Sequence, residues 1–331
     1  MNYFNFETEN IKALAPTLDL ITEATSILRG DANVEINGVS ENVEQQGDIK
    51  IHTVEILNDL GAQRLQKMKG KYITIDIPEI QEQQETIATI SGIVAEKLKT
   101  LLPNPLRRNM CVLVIGLGNE RATPDALGPQ VISRTIATRH LFRYAPQDVE
   151  DNLFSLAALA PGVLGITGIE TFEIIKGVTN AIQPQAVIVI DALSAASICR
   201  VGTTIQMADC GISPGSGLGT NNAALNKQSL GVPVIAIGVP TMINTSIILY
   251  ETINNLLEYW DKQYKSSHPK VDDKTIKYIG DKLFQSFRGN LMVTPREIDQ
   301  LVSDVSEILA ASIAQAVHPA ANVDNYRDYI R

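Results

Sequence analysis

Cys111-Val-Leu-Val-Ile115, running into Gly116-Leu-Gly118-Asn119, decides the fold because it has two echoes further along the chain. Ala186-Val-Ile-Val-Ile190 runs into Asp191, and Val232-Pro-Val-Ile-Ala-Ile237 runs into Gly238. Each is a continuous apolar run of about five residues, the pattern of a strand covered on both faces. Helical patterns lie between them, over Ala126–His140 and Thr167–Asn180. Apolar strands alternating with helices predict an α/β fold: an open, mostly parallel sheet with helices on both faces.

Before this unit, Ile49–Ile56 and Lys71–Ile77 alternate apolar and polar residues, as half-buried strands do. The basic, turn-like Lys67–Lys71 joins them into an N-terminal β-meander. Pro78 ends the second strand, and Ile87, Ile90, Val94, Leu98 and Leu101 then share one helix face, closed by Pro103 and Pro105. The first forty residues show weak periodicity beyond a short helix at Thr22–Arg29. Thr203–Ala208 reads as an edge strand. Thr167-Gly-Ile-Glu170 and Thr294-Pro-Arg-Glu297 read as capping boxes, the second opening a long C-terminal helix. The expected organisation is an N-terminal segment over 1–30 and one α/β domain over 31–331, with a polar surface insertion at 258–289.

The composition narrows the function. A chain of 331 residues with 44% hydrophobic and 20% charged residues is long and apolar enough for a large core. The formal charge of −9, with no dense Lys/Arg stripe, argues against direct nucleic-acid binding. Cys111, Cys199 and Cys210 lack metal-like spacing and fit free thiols in a reducing cytoplasm. No signal-peptide pattern opens the chain, and no apolar stretch approaches the ~18 residues of a membrane span.

Open α/β sheets bind ligands beyond the carboxyl ends of their strands. The polar residues there are Asn119, Glu120 and Asp125 after the first run, Asp191 at the end of the second, and Asp209 after Thr203–Ala208. Asp209 leads into the glycine-rich Gly211–Asn222, where Ser213, Gly215, Ser216 and Gly217 form a candidate substrate-contacting flap. A dinucleotide fingerprint would need a third glycine where Arg121 stands, so Gly116 and Gly118 are read as tight-turn glycines. Asp125 and Asp191 each have a bland reading, as a helix-start or strand-end acid. Together they form a candidate proton-sharing pair able to activate water. None of His52, His140, His268 and His318 follows a core strand, which leaves a histidine-held metal without support; a weak, hard-ion oxygen site from Asp125, Asp191 and Asp209 or Glu120 stays open, and no cofactor is expected. The serines lack a nucleophile-elbow setting.

Eight stretches resemble the germination protease family of spore-forming bacteria. They are Ile115–Asn119, Thr123–Pro129, Thr138–Phe142, Ala160–Thr171, Ile190–Leu193, Ser213–Gly217, Gly231–Thr241 and Asn290–Pro295, in the family's order. The resemblance implies a fold like that of hydrogenase maturation peptidases, with Asp125 and Asp191 at the two acidic positions proposed as catalytic. It further implies a homotetramer, made as a zymogen in the forming spore, that cleaves small acid-soluble spore proteins during germination. Thr17–Ala24 is loosely similar to the family's propeptide junction, which places self-cleavage at Asp19 and Leu20. Two alternatives remain at this point: a maturation-type, metal-dependent peptidase, and a catalytically silent relative that only binds.

Overall fold

A computed structural model describes residues 19–29, 36–77, 84–213, 223–264, 273–283 and 291–319. Among these residues one sheet joins nine strands: β1 (Val39–Gln46), β2 (Ile49–Ile56), β3 (Gly70–Asp76), β4 (Val112–Gly116), β5 (Leu156–Leu159), β6 (Ala186–Ala195), β7 (Thr204–Ala208), β8 (Val234–Asn244) and β9 (Met292–Val293). Their order is β1-β2-β3-β7-β8-β6-β4-β5, with β9 on the end of β8. β8, β6, β4 and β5 are mutually parallel. The pairings from β8 through β7 and β3 to β1 are antiparallel.

The meander is therefore an extension of the parallel sheet. β7 makes the join: it is an interior strand between β3 and β8, and the edge position expected for Thr203–Ala208 is corrected. Ile73 and Ile75 of β3 lie opposite Met207 and Ile205, an apolar match that draws the meander against β7. A helix at Asp59–Leu65, capped by the Asn58 side chain, separates β2 from β3 where a turn was expected.

Alternation along each central strand builds two cores. Val112 and Val114, with Ile188 and Ile190, face the helices Gln84–Leu101 and Ile298–Val317. Leu113 and Ile115, with Val187 and Val189, face Ile175 of the helix Thr171–Ile182 and Leu230. Every residue of β4 is buried. Burying one such side chain contributes about 1.5–3 kcal/mol, so these short strands anchor the fold.

Neither capping box forms. Thr167 ends a short helix, Leu164–Thr167, and the next helix begins at Thr171 behind Glu170. The C-terminal helix starts at Ile298 behind Glu297, whose side chain makes no capping bond. The pattern expected over Ala126–His140 divides into Leu127–Arg134 and Arg139–Tyr144, because Thr135 turns extended and the Thr138 hydroxyl bonds to Phe154 and Leu156. Within the described part of 258–289 lie the end of the helix Thr245–Tyr264 and the helix Asp273–Leu283.

Candidate active site

β4 is flanked by β6 on one side and β5 on the other, so the chain reverses its winding direction at β4. Such a reversal opens a crevice at the carboxyl ends of the strands. β4 stops at Gly116, opposite Ile190, while β6 continues to Ala195. Asp191 is thus the first residue of β6 beyond the end of β4 and lies within the strand, correcting its expected place at the strand end.

The first loop carries Asp125 to the same place. Leu117 donates its N–H to the Ile190 carbonyl at 2.8 Å, and Gly118 then turns with φ +112°. A one-turn 3-10 helix, Thr123–Asp125, returns the chain. Asp125 Oδ2 accepts from the Asn119 N–H at 2.8 Å. The buried Thr241 hydroxyl of β8 donates to the Pro124 carbonyl at 2.6 Å and fastens the turn to the sheet. Asn119, a candidate substrate contact, orients Asp125 through its backbone N–H.

Asp125 and Asp191 both line a cavity of about 220 Å³. Burial pushes the Asp191 carboxyl well above the usual carboxylate range, and the negative charges of Asp125 and then Asp19 add to the rise. Burial also raises Asp125, opposed by the Asn119 N–H. The pair is therefore biased toward one proton held mainly on Asp191, with Asp125 the better base.

Asp19 and Lys67 share this cavity, as do Gln206 and Ser213. Sequence reading placed Asp19 at a cut site but did not place it beside Asp191, and it missed Lys67 and Gln206. Their signal is a convergence in space, of a kind that motif spacing does not carry. Asp209 does not line the cavity; its carboxylate accepts from the Lys71 N–H at 2.8 Å, holding β3 against the end of β7. Gly215, Ser216 and Gly217 fall outside the described residues.

The N-terminal segment occupies the edge of β6 that β4 leaves open. Three N–H groups near this edge find carboxylates. Ala192 donates to Asp191 Oδ1 at 3.0 Å, Ser194 to Asp19 Oδ2 at 3.0 Å, and Ala196 to Glu23 Oε1 at 2.9 Å. Burial lifts the Glu23 carboxyl to about 7, against the Ala196 N–H and the Arg200 guanidinium, which favour its ionised form.

This shift has a defined sign. A raised carboxyl keeps a proton in the folded state that the unfolded chain releases, so its stabilisation is complete below the ordinary 4.5 and is lost as pH rises through about 7. The full effect is about 3 kcal/mol, at about 1.4 kcal/mol per pH unit. The segment Asp19–Arg29 is therefore expected to be held more firmly at pH 5.5 than at pH 8. Amide hydrogen exchange over residues 21–29, corrected for intrinsic rate, should slow on acidification in the wild type and lose that dependence in Glu23→Gln. Equal protection at both pH values would contradict it.

The other titratable groups suit structure better than metal binding. His318 is buried, pulled down to about 4 by that burial, and accepts from the Phe154 N–H. His52 stands 3.5 Å from Asp76 and 3.7 Å from Glu41. Among the described residues, no group of three or more His, Cys, Asp and Glu side chains is placed to hold a metal ion. Among them too, no helix is long and apolar enough to cross a membrane.

Fold and site together define an α/β protein with two acidic side chains walling one cavity at the reversal point of its sheet. Residues 17–277 and 270–330 match the family described as Germination protease. The germination protease of Clostridium acetobutylicum is 39% identical over 320 residues, covering 94% of this chain and 98% of the relative. That of Bacillus subtilis strain 168 is 37% identical over 333 residues, covering 89% and 90%. Among solved structures, a [NiFe] hydrogenase maturation protease, HycI, from Thermococcus kodakarensis KOD1 matches 64% of this chain and 98% of its own. Its TM-score is 0.28 at 16% identity, a weak likeness, and the α/β architecture stands on the strand order above. The chain belongs to the germination protease family and is a peptidase.

Proposed function

We propose that this peptidase cleaves small acid-soluble spore proteins during germination, using water activated between Asp125 and Asp191. The observation that carries the mechanism is the shared cavity, in which burial raises both carboxyls and the negative charge of Asp125 raises Asp191 further. Asp125 takes a proton from water as the oxygen attacks the peptide carbonyl carbon, and Asp191 gives its proton to the leaving nitrogen. The family membership supports a protein substrate. The acidic chain suits substrates that are DNA-binding proteins, and no direct nucleic-acid contact is proposed.

The peptidase domain is taken as 31–331, preceded by a propeptide segment within 1–30. The chain is made as a zymogen, works as a homotetramer in the cytoplasm of the spore core, and is cut between Asp19 and Leu20. Support for that cut is the placement of Asp19 in the cavity wall, with its carboxylate on Ser194 and its carbonyl between two side-chain donors.

Incubating the full chain at mildly acidic pH, then adding a purified small acid-soluble spore protein, tests both statements. Intact mass should show a fragment beginning at Leu20, and the spore protein should be cut. An unchanged mass would refute self-cleavage at this bond, and an intact spore protein would refute the substrate.

A further inference from the structure

The carbonyl oxygen of Asp19 accepts two side-chain hydrogen bonds inside the cavity, from Lys67 Nζ at 3.0 Å and from Gln206 Nε2 at 3.1 Å. The same Gln206 side chain accepts the Ile21 N–H on its Oε1 at 2.6 Å. One amide thus brackets Leu20, donating to the carbonyl of the Asp19–Leu20 peptide bond on one side and accepting the Ile21 N–H on the other. Backbone carbonyls are ordinarily satisfied by other backbone groups or by water. Two convergent side-chain donors on one carbonyl, one of them a lysine amine, form an arrangement suited to an oxygen that becomes charged.

The sheet explains how these groups meet. Gln206 of β7 is paired with Gly238 of β8, and Gly238 with Asp191 of β6. Residues paired in register share a face of the sheet, so Gln206 and Asp191 flank a glycine that contributes no side chain between them. With adjacent strands about 4.8 Å apart, the two backbones stand roughly 10 Å apart, and the Leu193 side chain of β6 covers Gly238 between them. Lys67 arrives from the other wall, just after the helix Asp59–Leu65, whose C-terminal Gln66 takes a left-handed turn at φ 53°.

We propose that Lys67 and Gln206 are catalytic residues of this peptidase: they polarise the carbonyl of the bond being cut and stabilise the negative charge that develops on its oxygen. The proposal rests on the reading above, in which Asp125 and Asp191 activate water and Asp19–Leu20 lies as a substrate. Water oxygen bonds to the carbonyl carbon while Asp125 takes its proton. The carbonyl π electrons move onto the oxygen held by Lys67 and Gln206. The tetrahedral centre then collapses, the C–N bond breaks, and the nitrogen leaves with the proton from Asp191. An added substrate presents its own carbonyl to the same two donors once the Asp19 carbonyl has left them.

The test is the cleavage of a purified small acid-soluble spore protein by the full chain, comparing the wild type with Lys67→Met, Gln206→Met, Gln206→Glu and Asp125→Asn. Circular dichroism and melting temperature check each variant's fold. Removing one such donor is expected to lower kcat about 10²–10³-fold. KM should change by less than about threefold, because the interaction strengthens only in the transition state. Gln206→Glu keeps the volume and the acceptor for the Ile21 N–H while replacing the donor with an acid; it decides the matter if a methionine variant fails to fold, and should be at least as slow.

Variants of Lys67 and Gln206 that retain wild-type kcat, or change only KM or melting temperature, would overturn the proposal while a silent Asp125→Asn left the aspartate reading intact. An Asp125→Asn variant as fast as wild type would overturn both.

Discussion

Gly118→Ala is expected to lose about 3 kcal/mol of stability and nearly all peptidase activity together. Gly118 sits at φ +112°, where a side chain is strained whatever the surrounding space. An added Cβ would also collide with the Asp125 carbonyl oxygen and lie 3.1 Å from its Oδ1. Backbone strain of this kind costs about 1–3 kcal/mol, and forced overpacking about 1–3 kcal/mol more. Relief requires the Thr123–Asp125 turn to move away from β4. That movement breaks the 2.8 Å bond from Asn119 to Asp125 and draws the carboxylate out of the cavity. The checks are a melting curve and a kcat for spore-protein cleavage. A Gly118→Ala chain that melts and cuts like wild type would show that this turn does not position Asp125.

The second large effect is chemical. Asp125→Asn or Asp191→Asn should leave the fold in place, because the amide is nearly isosteric with the acid. Each should lower kcat by about 10²–10⁴-fold, the range of a lost general acid or base. The two losses have different origins. Asparagine at 125 cannot take a proton from water. Asparagine at 191 keeps a donor but cannot release a proton to the leaving nitrogen. Asparagine at 125 also removes a negative charge that helps to raise Asp191, so the Asp191 carboxyl should fall toward its ordinary value. Residual activity measured against pH should show this fall as a shift of the Asp125→Asn profile toward acid. An unshifted profile would mean that the two carboxyls do not feel one another.

Much of the parallel half of the sheet was legible because β4, β6 and β8 are buried on both faces and require unbroken Val, Ile and Leu. Asp125 and Asp191 were legible for the same reason: polar residues following such runs stand out. The meander was half legible. β2 alternates cleanly against a core, whereas β1, Val-Ser-Glu-Asn-Val-Glu-Gln-Gln, is an edge strand with most of its residues in or near solvent. An edge strand needs pairing partners more than apolar side chains, so its residues carry little periodicity.

β7 was misplaced at an edge because Gln206 interrupts its apolar pattern. That polar side chain sits inside the sheet to face the cavity, where it bonds the N-terminal segment. The two capping boxes failed for another reason. A threonine three residues before a glutamate is a local pattern, and the surrounding packing starts each helix after that glutamate. Lys67 lies in a basic, turn-like stretch with nothing local to mark it. Only the folding of β3 beside β7 brings it to the carbonyl of Asp19, some forty-eight positions away.

The most direct test of the central claim, that Asp125 and Asp191 act as one unit, is a double-mutant cycle. The rate of cleavage of a purified small acid-soluble spore protein is measured for wild type, Asp125→Asn, Asp191→Asn and the double variant, each shown to be folded. If the pair acts as one unit, each single change stops most of the catalysis and the double change is little slower than the slower single. Losses that simply multiply, or single variants that cut at the wild-type rate, would contradict it and leave the two aspartates as independent groups, one in the Thr123–Asp125 turn and one within β6.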